Sequence, residues 1–315
     1  MTIKEGNILF SSGNYMEAID EYKKIDSDNP LFGQASFNID YIERNYLNSS
    51  FATSIESPTI SDSGYSKFLN IFNRPPRSGW SAIITLWKRS EYLEEQLEAI
   101  YNQSVRPKEI IIIQNENHFL IDEKIYQKYD LKLIRSDINS LYHRWIISYL
   151  SSGEYVCVFD DDVIPGKDWI KLCYRVSQNH NALVGPSGRV ARPTSDPAWE
   201  SVEGHAGEDR ICDWVCNSYF FKADWLRHIV AASRYDDHQM TFDDIQLAAA
   251  LKAVGGIISV VPGQPSDKSD YAGHSKRQYG HDSHALWKRK VESHAHKRSN
   301  LIRRLDRIGF KWCGL

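Results

Sequence analysis

The stretch that most limits what this chain can fold into is Tyr155-Val-Cys-Val-Phe-Asp-Asp-Asp162, an apolar run that ends abruptly in three carboxylates. Ionised Asp loses too much solvation to continue a buried strand into a core. The run is therefore predicted to be a central parallel strand over 155–159 whose C-terminal end opens into a crevice. There Asp160, Asp161 and Asp162 would meet something cationic. Adjacent carboxylates repel one another unless neutralised, and hard oxygen ligands suit Mn²⁺ or Mg²⁺, which in turn suit a diphosphate. The plainer alternative is an acidic turn before the helix that starts near Lys167, since Asp favours turns and helix N-termini.

At 315 residues the chain can hold one large α/β domain and a small appendage. A formal net charge of −3 argues against a general nucleic-acid binder. The cysteines are Cys157, Cys173, Cys212, Cys216 and Cys313, an odd number without a paired pattern. They are read as reduced, with Cys212 and Cys216 in the core, and the expected location is cytoplasmic. The first residues are polar rather than leader-like, and no apolar run is long enough to span a bilayer. Nine Trp and seventeen Tyr hint at a carbohydrate site, although such side chains more often fill cores.

Residues 1–47 are expected to form an appendage of helices. Gly6, Leu9, Gly13, Tyr15, Ala18, Tyr22, Ile25 and Pro30 fall where a tetratricopeptide repeat places its small, aromatic and terminating residues. One repeat cannot bury its own face, so it packs on the main domain, dimerises or docks a partner. Residues 48–79 read as a linker, rich in Ser, Thr, Asn and Pro at its start. Over 80–315 the pattern alternates. Strands are predicted at 80–86, 109–114, 131–134, 155–159, 182–184 and 257–261. Helices are predicted at 91–101, 141–150, 168–176, 222–232 and from 241 to 253, the last with Thr241 as its N-cap. Residues 185–197 and 200–210 are read as loops. Such alternation implies a mostly parallel sheet flanked by helices. The tail carries eight Lys or Arg from Lys288 to Arg307, on an expected helix.

The order of strands, ending at Asn115 and then at the acidic triplet, resembles the GT-A (Rossmann-like) fold of nucleotide-sugar glycosyltransferases. It is closest to the exostosin-like retaining α-N-acetylhexosaminyltransferases. Four stretches carry the resemblance: Thr85-Leu-Trp-Lys-Arg89; Asn139-Ser-Leu-Tyr-His-Arg144 with Asp160-Asp-Asp162; Ala182-Leu-Val-Gly-Pro-Ser-Gly-Arg189; and Asp243-Asp-Ile245. Together they span about 80–289. Trp87-Lys88 stands where the family has Tyr-Asn. Lys288 and Arg289 both lie near the place of the family's phosphate-holding C-terminal Arg.

The resemblance implies transfer of an N-acetylhexosamine from a UDP-sugar with retention, inversion being the alternative, with a divalent cation, a glycan or glycolipid acceptor and no nucleic acid. Asp162 would be the direct metal ligand, Asp160 would assist or reach the ribose, and Asp161 would lie near the donor sugar. Thr85, Arg89, Asn115, Asn139 and Arg144 would hold base, ribose and diphosphate, Arg through its planar fork. His281, with His274 and His284 nearby, is the candidate to complete the cation's shell. Lys288 or Arg289 would clamp the pyrophosphate, and the remaining basic charge would meet an anionic acceptor or the membrane surface. Singly, Arg144 could be a polar helix face, Arg89 a surface residue and Asn115 a turn; jointly, at successive strand ends, they point to a site.

Asp244, with Asp243 beside it, carries the mechanism. In a retaining enzyme it orients the acceptor or stabilises an oxocarbenium-like centre; in an inverting one it is the general base. The alternative is that both acids merely favour the helix dipole. A nucleotidyltransferase is the rival enzyme class, but it usually wants a Gly-rich loop after the first strand, and residues 86–90 contain no Gly. A non-catalytic repeat-type scaffold is the rival outside enzymes.

Overall fold

The computed structural model describes residues 3–11, 14–27, 29, 32–43, 77–116, 118–203, 207–231, 242–264, 291–307 and 309–313. The chain divides into two units, Met1–Pro75 and Pro76–Leu315. In the first, α1 (Ile3–Ser11), α2 (Tyr15–Lys23) and α3 (Phe32–Ile42) gather Ala18, Ile19, Tyr22, Ile25, Ala35 and Ile42 into a small core. At Gly6 of α1 a Cβ would run into the Tyr22 ring of α2. Tyr22 also donates to Asn7 at 2.6 Å, tying α2 to α1. Gly13, Pro30 and most of the predicted linker lie outside the described residues.

In the second unit, β1 (Trp80–Leu86), β2 (Glu109–Asn115), β3 (Leu131–Ser136) and β4 (Tyr155–Asp160) are mutually parallel in the order β3-β2-β1-β4. Side-chain alternation divides them between two cores. Ile83, Val156 and Val158 face one; Ala82, Ile84, Cys157 and Phe159 face the other. The second core is closed by α4 (Leu93–Tyr101) through Leu93, Leu97 and Ile100, and by α7 (Trp169–His180) through Trp169, Ile170, Cys173 and Val176. The first is closed by Trp145 of α6 (His143–Leu150). On the same side it meets Leu247 and Leu251 of α9 (Asp243–Gly255), and Leu301, Ile302 and Leu305 of α10 (Val291–Arg307). Helices thus cover both faces, which is why the strands read as near-continuous apolar runs. Two further helices, α5 (Glu123–Tyr129) and α8 (Arg227–Ala231), are short. No described helix is long and apolar enough to cross a membrane, and all five cysteines are free.

The mixed α/β architecture expected from the sequence is present, with two corrections to its connectivity. Beyond β4 the sheet continues with β10 (Ser218–Lys222), antiparallel to both β4 and β5 (Ala182–Val184), then β11 (Ile258–Val261) and β8 (Arg210–Cys212). The predicted loops at 185–197 and 200–210 also contain strands. β6 (Ser187–Ala191) and β7 (Trp199–Glu203) join β9 (Trp214–Cys216) in a second, antiparallel sheet ordered β7-β6-β9. Gly188 is there for packing rather than for a turn. A Cβ on it would meet Cys212 Sγ at 2.5 Å. Short strands with mixed burial carry too little periodicity to be told from loops.

Helix ends differ by a few residues from expectation, as ends do. At α9 the N-cap position is Phe242, which makes no side-chain cap, and Thr241 lies outside the described residues. Because β1, β2 and β4 run parallel, their C-terminal ends share one edge, with Thr85 paired to Asp160 across β1 and β4.

Candidate active site

At that edge β4 ends in the acidic triplet, and α4 holds the turn from outside. Gln96 of α4 is fully buried, and its Nε2 donates to the carbonyls of Asp160 at 2.8 Å and Val163 at 2.7 Å. Two arginines then divide the carboxylates. Arg89 Nη1 donates to Asp161 at 2.5 Å and to Asp162 at 3.0 Å. Arg144 Nη1 donates to Asp160 at 2.7 Å, while its Nε and Nη2 each reach Asp243 at 2.8 Å. Arg144 therefore fastens the end of a central strand to the start of α9. It lies over the rings of Trp145 and Tyr219 at 4.7 and 5.0 Å. The next acid, Asp244, accepts from the Ile245 N–H at 2.9 Å through Oδ1, and its Oδ2 lies 3.3 Å from Arg298 Nη2 of α10.

The electrostatics follow from burial. Loss of water pushes Asp161 up to about 7, with Arg89 only partly offsetting it. Burial likewise raises Asp160 and Asp243 to about 6 each, against the pull of Arg144. For Arg144 burial acts downward, but Asp243, Tyr219 and Asp160 outweigh it and its pKa rises. Among the described residues, five carboxylates (160, 161, 162, 243 and 244) are paired with three guanidiniums (89, 144 and 298), an excess of acids over bases.

That excess bears on whether the site suits a divalent cation. Among the described residues no three His, Cys, Asp or Glu side chains are gathered as a cage. Mg²⁺ commonly takes only one or two protein carboxylates and leaves the rest to phosphate and water. A donor set of Asp oxygens at the end of a central strand, with more acids than guanidiniums among the described residues, fits such an ion.

The sequence-predicted residues separate into three groups. Arg89, Arg144, Asp160, Asp161, Asp162, Asp243 and Asp244 are joined by the ion pairs above. Thr85 and Asn115 sit at the same edge but are engaged locally. The Thr85 hydroxyl donates to the Phe159 carbonyl at 3.1 Å, and Asn115 meets the Ser140 carbonyl at 3.2 Å and His143 Nδ1 at 2.7 Å. Asn139 is exposed on the loop before α6, and His281, Lys288 and Arg289 lie outside the described residues.

Residues that sequence reasoning missed include Gln96 and Arg298, together with a cluster at the ends of β1 and β2. There Trp87 Nε1 donates to Glu116 at 2.6 Å, and His118 lies 2.9 Å from the same carboxylate. Gln96 had a signal, a polar residue inside the apolar stripe of Leu93, Leu97 and Ile100. Arg298 had none, being one of many basic residues in its helix.

Residues 81–228, just under half of the chain, match the sequence model of glycosyl transferase family 2. No curated protein matches. Among solved structures, S. aureus TarS 1–349 in complex with UDP is similar at 15% identity and a TM-score of 0.43, over 61% of this chain and 59% of that one. The mannosyltransferase PcManGT from Pyrobaculum calidifontis, in complex with GDP-Man and Mn²⁺, is similar at 15% identity and 0.42, over 69% and 65%. TarS 1–349 with UDP-GlcNAc gives 15% identity and 0.39, over 55% and 52%. The match spans less than two thirds of each of those chains.

Proposed function

We propose that this chain, whose residues 81–228 match glycosyl transferase family 2, is a glycosyltransferase in which the edge built by β1, β2, β4 and α9 transfers a sugar from a nucleotide donor to an acceptor hydroxyl. The observation that carries this reading is the Arg144 bridge between Asp160 and Asp243. It brings the strand-end acids and the helix-start acids side by side, so donor phosphates and acceptor can be served together.

In this reading Asp162 and Asp160 hold a divalent cation, Mn²⁺ or Mg²⁺, which when bound neutralises charge developing on the leaving diphosphate. Arg89 is poised between Asp161 and Asp162 and moves its guanidinium to the phosphates as they enter. Arg144 keeps both carboxylate groups placed and does not touch the donor. The geometry distinguishes the two acids of α9. Both oxygens of Asp243 are taken by Arg144, whereas Asp244 is held more loosely. Asp244 is therefore the group assigned to the acceptor hydroxyl. As a carboxylate able to take that proton it serves as general base, and the expected stereochemistry is inversion. Retention, which the exostosin-like resemblance implied, leaves Asp244 only an orienting role.

The first donor to test is a UDP-N-acetylhexosamine, on the resemblance carried by Asn139 to Arg144 and Ala182 to Arg189, with a glycan or glycolipid as acceptor. With Mn²⁺ and a panel of sugar nucleotides, the protein should release nucleoside diphosphate, and Asp162→Ala should abolish release. NMR of the product's anomeric proton separates inversion from retention. Release that is unaffected by Asp162→Ala would remove the triplet from the mechanism.

A further inference from the structure

Asp244, the acid assigned to the acceptor, is itself met from α10. Arg298 Nη2 lies 3.3 Å from Asp244 Oδ2, with side-chain exposures of 16% and 9%. The guanidinium is placed by two aromatic rings, its central carbon 5.7 Å from the Trp199 ring and 5.4 Å from that of Phe242. Trp199 belongs to the second sheet and Phe242 precedes α9, so the stacking orients the fork toward Asp244.

The register of α10 is itself fixed on both sides of this residue. Ser299 Oγ accepts from the Ala198 N–H at 3.2 Å, and Leu301, Ile302 and Leu305 are buried in the core. Arg303 donates to the carbonyls of Pro193 at 3.1 Å and Ser195 at 2.9 Å. Arg298 Nε is buried with no hydrogen-bond partner among the described residues.

We propose that Arg298 is a positioning residue for the transfer step: it holds the Asp244 carboxylate facing the acceptor, so that the C-terminal helix completes the active site. The proposal rests on the assignment of Asp244 made above. In the step itself the acceptor oxygen bonds to the anomeric carbon as its proton passes to Asp244 Oδ2. The bond from that carbon to the phosphate oxygen breaks, and its electron pair leaves on the nucleoside diphosphate. Arg298 touches neither reacting centre. It prevents Asp244 from rotating away, and a guanidinium fits this role better than an ammonium because its planar fork can meet the carboxylate while its face lies over the rings of Trp199 and Phe242.

The test uses the full chain with Mn²⁺ and water as acceptor, following diphosphate release from UDP-GlcNAc, UDP-glucose and GDP-mannose and taking the donor turned over fastest. Asp244→Asn should lower kcat by about 100-fold or more. Arg298→Ala should lower kcat roughly 10- to 100-fold with donor KM within about threefold, since only an interaction of the transfer step is lost. Arg298→Lys should recover part of the loss, and added guanidinium ion should restore Arg298→Ala at least severalfold. It should do nothing for Asp244→Asn or for the double variant, which should be no slower than Asp244→Asn alone. Arg298→Met, which keeps the stem, guards against loss of fold, with melting curves on every variant. Wild-type kcat in Arg298→Ala or Arg298→Met beside a slow Asp244→Asn would overturn the proposal and leave the assignment of Asp244 standing. So would rescue of Asp244→Asn by guanidinium, or unfolding of all three Arg298 variants. Wild-type kcat in Asp244→Asn, or no release from any of the three donors, would sink the Asp244 assignment and the proposal with it.

Discussion

Replacing Arg144 by Met tests the bridge on which the site is built. Met keeps the apolar stem against Trp145 and Tyr219 and deletes the three hydrogen bonds to Asp160 and Asp243. The Arg144 and Asp243 side chains are only 5% and 3% exposed, so water cannot replace the lost partner. Removing one member of a buried pair costs about 3–5 kcal/mol, because the other charge is left uncompensated. For a domain of this size that corresponds to a fall in melting temperature of roughly 10 °C. Asp243 offers an escape by taking up a proton, and this sets the pH dependence. Its folded pKa of about 6 lies above the ordinary carboxylate value, burial being the cause. A raised carboxylate penalises the folded state once the pH exceeds its unfolded value, and fully so above the folded one. Without Arg144 the rise is larger, so Arg144→Met should be far more destabilised at pH 8 than near pH 5. Thermal melts followed by circular dichroism at both values would measure this. In Arg144→Met/Asp243→Asn the loss should be smaller than the sum of the single losses by about 1–3 kcal/mol. A melting temperature within about 2 °C of wild type at pH 8, or strict additivity in the double variant, would refute the bridge as an energetic link.

Gln96→Leu removes the two donors that hold the triplet turn and leaves two buried carbonyls unmatched. It should cost about 2–4 kcal/mol and weaken stabilisation by Mn²⁺ with UDP; an unchanged melting curve with and without those ligands would contradict this. Glu109 at the opposite edge of the sheet is held down to about 2, because hydrogen bonds from Lys132, Ser81 and Ser152 overcome its burial. A depressed carboxylate contributes stability above its unfolded value of about 4.5 that fades as the pH falls through 2. Glu109→Gln should therefore flatten acid unfolding between those limits by about 2 kcal/mol, after discounting for solvent; an unchanged acid limb would count against it. Chelation by EDTA should abolish diphosphate release and added Mn²⁺ should restore it, with activity that survives exhaustive chelation excluding a role for the ion.

The central strands were legible from the residues alone, because Ile-rich runs buried on both faces have no other stable place. It also located the acids at the strand end, since a charge that cannot be buried must mark where a strand leaves the core. Both legible features depend on solvation of residues close together in the chain. The tertiary structure alone decided which charges meet: that Arg144 joins Asp160 to Asp243, that Arg89 lies between Asp161 and Asp162, and that Arg298 reaches Asp244 from the last helix. It also decided that β10 enters the sheet antiparallel and that residues read as loops pair into a second sheet. Periodicity records whether a side chain is buried. It carries no record of its partner, because that depends on where distant elements come to rest against the two cores.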